Sequence, residues 1–151
     1  MSEPVFGGWL INADQNKTKL AFDVSQKSEG EKSLQITFNG GHDPAIPLLS
    51  QLRIFYPERT YRVSLDVLTK DLATGGPPVI TVTDATTDQL LGKSEGFPAS
   101  DSWRTLNFEF TTLPTSEAVL IRLQRNNCES APCPIFGVVW LDNVNIDQQR
   151  K

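Results

Sequence analysis

Imidazole and thiol are scarce in this chain, with one His and two Cys among 151 residues. A single imidazole excludes the zinc and cupin-type centres that draw on several histidines. Cys128 and Cys133 lie five positions apart with no second pair, which excludes a zinc knuckle and a C-x-x-C redox site. Basic runs longer than two are also missing, and the 14 Lys and Arg stand against 18 Asp and Glu, for a net charge of −4. Without a basic patch the chain has nothing to neutralise phosphates, so nucleic acid and anionic membrane surfaces are excluded as partners. No apolar stretch approaches the roughly 18 residues of a membrane span, so membrane insertion is excluded as well. Met1-Ser-Glu-Pro4 lacks the charged start and apolar core of a signal peptide, which makes an exported version of this chain a piece excised from a larger protein.

Helical periodicity is absent too, and alternation takes its place. Ser33 to Asn39 sets Leu34, Ile36 and Phe38 against Ser33, Gln35 and Thr37, the period-two pattern of a strand with one face in the core. The same pattern recurs over 20–25, 61–69, 103–111 and 118–125, and over 49–56, where Leu52, Ile54 and Tyr56 oppose Gln51, Arg53 and Phe55. Pro4 to Ile11 reads as a first strand interrupted by glycines, and Val79 to Asp84 as a short β-branched strand. Pro57 to Thr60 is placed as the turn of a hairpin joining 49–56 to 61–69. Lys70 to Pro78 and Ala85 to Ser102 read as connections, the latter with Leu90, Leu91 and Phe97 covering a sheet edge. Eight or nine strands with one apolar face each require two sheets packed face to face or a closed barrel. The expectation is an all-β, two-sheet antiparallel sandwich of jelly-roll type, a single domain over 1–151 with a free tail over 146–151.

The stretch Gly137 to Ile146, G-V-V-W-L-D-N-V-N-I, is a strand with a polar middle. Asp142 needs a partner there, whether a metal, backbone N–H groups or a cation. In the loop of Cys128 and Cys133, Glu129-Ser-Ala-Pro132 lets the two thiols reach each other, giving a disulfide in an oxidising compartment or two free thiols in a reducing one. His42-Asp43 lies in a Gly/Pro-rich loop with no nucleophile elbow beside it, and no spacing selects a pair of glycosidase carboxylates. An enzyme is not expected.

Several segments in order, F-G-G-W near the start, S-E-G-E-K-S-L-Q-I-T-F, L-S-Q-L-R-I-F-Y-P-E-R-T-Y-R-V-S-L, W-R-T-L-N-F-E-F, V-L-I-R-L-Q-R and G-V-V-W-L-D-N-V-N-I, resemble carbohydrate-binding modules of families 4, 9, 16 and 22. The resemblance runs from about Phe6 to Ile146 and implies a galactose-binding-like jelly roll that binds a poly- or oligosaccharide without catalysis. It also implies an extracytoplasmic accessory module of a larger bacterial protein. Members of this group often hold a structural calcium. Carried over, Asp142 would be its carboxylate ligand, with Glu29, Glu31 and their neighbours in Ser28 to Lys32 adding hard oxygens. The chain departs from the group at F-G-G-W, where an acidic or amide residue is common. A structural or protein-interaction sandwich without a sugar site is the alternative.

Sugar recognition needs flat apolar platforms flanked by planar polar groups. Trp9, beside two glycines that allow close approach, is the first candidate platform, ahead of Phe55, Tyr56, Phe97, Trp103 and Trp140. Gln51 and Arg53, Arg62 and Asp66, and Arg122 and Gln124 supply the amide, guanidinium and carboxylate groups, provided that their strands are neighbours on one sheet.

Overall fold

The computed structural model describes residues 4–5, 9–11, 18–23, 33–40, 47–126, 128 and 133–149, with backbone alone for those before 33. Eleven strands are described: β1 (Pro4–Val5), β2 (Trp9–Ile11), β3 (Thr18–Asp23), β4 (Ser33–Asn39), β5 (Leu49–Ile54), β6 (Thr60–Thr74), β7 (Pro78–Asp84), β8 (Leu90–Lys93), β9 (Arg104–Thr111), β10 (Ala118–Arg125) and β11 (Ile135–Gln148). They form two antiparallel sheets, one ordered β1-β2-β5-β10-β7-β8 and the other β3-β4-β11-β6-β9. The expected all-β sandwich is what the chain builds.

The core lies between the inner faces. Val63, Leu65 and Val67 of β6 meet Ile80 and Val82 of β7 and Val119, Ile121 and Leu123 of β10 in one buried cluster. Alternation dictates this, because successive strand residues point to opposite faces. Burying each such side chain contributes about 1.5–3 kcal/mol, so the strands with three buried apolar residues fix the register for their neighbours. Phe55, Tyr61 and Phe110 extend the core at one end, with Phe55 and Tyr61 ring centroids 4.4 Å apart.

Several boundaries differ from the pattern-based expectation. β5 and β6 are not a hairpin, since they belong to different sheets. The corner between them is held by the Thr112 hydroxyl, which donates to Tyr56 O at 2.7 Å and accepts from Arg59 N–H at 3.0 Å. Pro4 to Ile11 is two short strands paired with each other, Val5 opposite Trp9, in place of one interrupted strand. β6 runs on through 70–74 alongside β11, and β8 occupies part of the 85–102 connection. Phe97 lies in the core and does not cover an edge. The tail is not free at its start either: Asp147 pairs with Arg62, Gln148 with Tyr61, and Gln149 N–H donates to Thr60 O at 2.8 Å, because β6 offers unpaired backbone groups as far as Thr60.

β11 is the centre of its sheet, between β4 and β6. Two irregularities bend it. At Gly137 (φ 114°) a Cβ would stand 2.6 Å from Asp71 O, so only glycine lets the strands approach there. The second falls between Asp142 and Asn145, with Asn143 at φ 53°. Cys128 and Cys133 form a disulfide with Cα atoms 5.5 Å apart. Beside it the buried Arg125 donates to Gly76 O at 2.9 Å, Thr74 Oγ1 at 2.9 Å and Pro134 O at 3.2 Å, tying β10 to the two segments that follow β6 and precede β11.

Candidate functional site

Most of the exposed large apolar side chains gather on one surface, the outer face of the six-stranded sheet. Leu52, Ile54 and Tyr56 are 62%, 86% and 71% exposed, and Leu90 is 54% exposed. Their positions follow from register. Leu120 of β10 pairs with Leu52 of β5 on one side and Thr83 of β7 on the other, and Thr83 pairs with Leu90 of β8. The row Leu52–Leu120–Thr83–Leu90 therefore crosses four strands, about 14 Å from end to end at a spacing of about 4.8 Å. A second row, Ser50–Arg122–Thr81–Lys93, runs beside it, and Leu10 of β2 pairs with Ser50 at its end.

The middle of this face is covered by polar side chains. Thr81 and Thr83 point outward yet are only 5% and 8% exposed. The reason is that β10 side chains lean across β7: Thr81 donates to Gln124 Oε1 at 3.1 Å, and Arg122 Nη1 donates to Thr83 Oγ1 at 3.4 Å. Arg122 also meets Asp88 at 3.6 Å. The result is a trough with Leu52, Ile54 and Tyr56 along one wall, Leu90 on the other, and a guanidinium and an amide fixed along its floor.

The far wall is anchored by Asp84, buried at the end of β7. Its Oδ1 accepts from the Ser116 hydroxyl at 2.7 Å, and its Oδ2 accepts from Thr87 N–H at 2.8 Å, Thr87 Oγ1 at 3.0 Å and Thr86 N–H at 3.2 Å. The Ser116 hydroxyl, followed by the Thr87 amide, holds the Asp84 carboxyl below its ordinary pKa, outweighing the opposite pull of burial. This turn presents Asp88, in the left-handed region at φ 62°, to Arg122.

The polar residues singled out in the sequence do not converge. Arg122 and Gln124 lie on the trough floor. Gln51 and Arg53, although on neighbouring β5, pair with the buried Ile121 and Val119 and so point to the opposite side of the sheet. Arg53 lies over the Phe55 ring at 5.5 Å and donates weakly to Gln51 at 3.5 Å. Arg62 and Asp66 are on the other sheet altogether. There Arg62 donates to Asn107 at 2.8 Å and Asp66 accepts from Thr105 at 2.6 Å. Trp9 stands in β2, and its side chain lies outside the described residues, as do Glu29, Glu31, His42 and Asp43. Trp140 and Phe97 are buried, and Phe55 is half-buried against the core, which leaves Tyr56 as the exposed aromatic among the candidate platforms whose side chains are described, with Trp103 partly covered.

The trough residues missed in the sequence are Leu52, Ile54, Leu90, Thr81 and Thr83. One signal pointed to the two threonines: Val79-Ile-Thr-Val-Thr83 is β-branched on both faces, the composition of a strand covered on both sides.

Residues 3–130 match the family of carbohydrate binding domains designated CBM_4_9. The chain belongs to that family. No curated protein matches this carbohydrate binding domain by sequence. Among solved structures, a CBM4 domain is similar at TM-score 0.65 and 16% identity, covering 93% of this chain and 86% of that one. The CBM22-1 xylan-binding domain of Paenibacillus barcinonensis Xyn10C is similar at TM-score 0.64 and 16% identity, covering 99% and 91%. TmCBM61, solved with β-1,4-galactotriose, is similar at TM-score 0.63 and 13% identity, covering 97% and 92%. At these identities the likeness shows the shared jelly-roll fold.

The calcium site implied by the resemblance is not assembled by the described residues. Asp142 sits one step beyond the pair Leu141–Leu34, beside Ser33, and its Oδ1 accepts from Asn143 N–H at 2.8 Å. Among the described residues no three His, Cys, Asp or Glu come together as metal ligands. Glu29, Glu31 and their neighbours in Ser28 to Lys32, the other ligands that the resemblance implies, lie outside the described residues.

Proposed function

We propose that this domain binds a β-linked polysaccharide across the outer face of its six-stranded sheet, without catalysis, as an extracytoplasmic module of a larger protein. The observation that carries this reading is the trough itself. Apolar side chains left in water on both walls suit the C–H faces of sugar rings, and the floor holds Arg122 and Gln124 at fixed positions for paired hydrogen bonds to hydroxyls. The rows cross the strands, so a glycan lying along them spans β5, β10, β7 and β8. Family membership supports the ligand class, and the similar xylan-binding and galactotriose-bound domains favour β-1,4-linked chains. The Cys128–Cys133 disulfide suits an oxidising compartment. Asp88 reaches the floor and meets Arg122 at 3.6 Å, an exposed contact that a ligand can displace.

Affinity electrophoresis in gels containing soluble xylan, mixed-linkage glucan or galactan tests the reading. Retardation by at least one of them is expected. Unretarded migration in all three, with calcium present, would overturn it in favour of a protein partner seated on Leu52, Ile54 and Tyr56.

A further inference from the structure

We infer that the glycan taken by this face carries carboxylates, as a uronic-acid-substituted polysaccharide does. The inference rests on the glycan reading of the trough and is carried by the row Ser50–Arg122–Thr81–Lys93. Thr81 is the pairing partner of both Arg122 and Lys93, so two cationic residues flank one small floor residue, their backbones two strand spacings, about 10 Å, apart. The chain as a whole is acidic, with a net charge of −4, so this placement runs against its average.

The acid available to the row does not neutralise it. Asp88 meets Arg122 at 3.6 Å through a side chain that is 79% exposed, against 25% for Arg122. An exposed contact of that length is weak and easily exchanged for another carboxylate. Among the described residues Lys93 has no ion-pair partner. A neutral sugar offers the two cations hydroxyl acceptors but no counter-charge, so part of the cost of drying them is left uncompensated. A uronate carboxylate restores what is lost: the planar guanidinium fork accepts it in two parallel hydrogen bonds, and the ammonium adds a point charge on the far side of Thr81.

The probes are glucuronoxylan and the same polymer after carboxyl reduction, each run against the full chain in affinity gels at low and high salt. The acidic polymer is expected to bind about tenfold tighter at about 20 mM salt, with the advantage largely gone at about 500 mM. Lys93→Gln and Arg122→Gln should each bring the ratio of the two affinities towards one, and Lys93→Gln, at an exposed position, keeps the test independent of folding. Equal retardation by both polymers overturns the inference and leaves the glycan reading standing. Retardation by neither overturns the inference, and the glycan reading falls with it if mixed-linkage glucan and galactan also fail to retard the protein. A ratio unchanged in the two variants overturns the assignment to this row.

Discussion

The two outer faces of the sandwich are both polar in sequence, yet they spend their polar groups differently. On the five-stranded sheet the groups satisfy one another: Arg62 donates to Asn107, Thr105 to Asp66, and Asn145 to Asn143 Oδ1 at 2.9 Å. Along Arg62 to Asp66 these contacts pair β6 with β9, and Asn143 of β11 reaches Asp66 at 3.5 Å. On the six-stranded sheet the polar side chains of β10 lie flat across β7, and apolar side chains stand in water at both margins. A self-satisfied face gains nothing by meeting a ligand, because each new hydrogen bond replaces one already made. A face with fixed donors between exposed apolar walls gains both burial and hydrogen bonds. The difference, and not polarity as such, marks the binding side.

The largest effect that would sharpen this contrast is on affinity. Leu52→Ala combined with Arg122→Ala should weaken glycan binding by about 100-fold, roughly 2.7 kcal/mol, with a small change in melting temperature, as measured by titration calorimetry. Arg62→Ala on the other sheet should leave affinity unchanged within about twofold. Equal losses from the two variants would break the comparison.

A smaller effect is expected at Asp84, which anchors the turn behind Leu90 and Asp88. Its folded pKa is lowered, chiefly by the Ser116 hydroxyl, so the carboxylate contributes stability above its unfolded pKa and that contribution is lost as pH falls through the folded value. Asp84→Asn should therefore be less stable than the parent at pH 7, with the gap narrowing below about pH 4 in urea melts. A gap independent of pH would show that the charge of Asp84 plays no part in holding the trough wall.

Much of the fold was legible because its strands announce themselves. β4, β6 and β10 each bury an alternating apolar set, and those sets demanded two packed sheets or a closed barrel, with the long connections favouring the sheets. The site was less legible, for a reason visible in β5. Its alternation divides Leu52 and Ile54 from Gln51 and Arg53, but alternation does not say which set faces in. The answer comes from β10, whose Val119, Ile121 and Leu123 must all be buried, and whose register carries Gln51 and Arg53 to the core side. Three buried side chains at about 1.5–3 kcal/mol each outweigh two left exposed. Beyond Arg53 the half-buried Phe55 packs against Tyr61 and Phe110, and Arg53, on the core side yet exposed at this end, reaches over the Phe55 ring. Sheet membership was hidden in the same way. Nothing in Pro57-Glu-Arg-Thr60 distinguishes a hairpin turn from a corner between sheets; the Thr112 hydroxyl that makes it a corner comes from more than fifty residues later.

The central claim is that ligand meets the outer face of the six-stranded sheet. Backbone amide shifts recorded while xylo-oligosaccharides are titrated into the labelled protein test it most directly. The account predicts that Ser50, Leu52, Thr81, Thr83, Leu120 and Arg122 move together and saturate with one dissociation constant, while Arg62, Asn107 and Asn145 stay in place. Saturating shifts confined to Arg62, Asn107 and Asn145, with the trough unmoved, would contradict it.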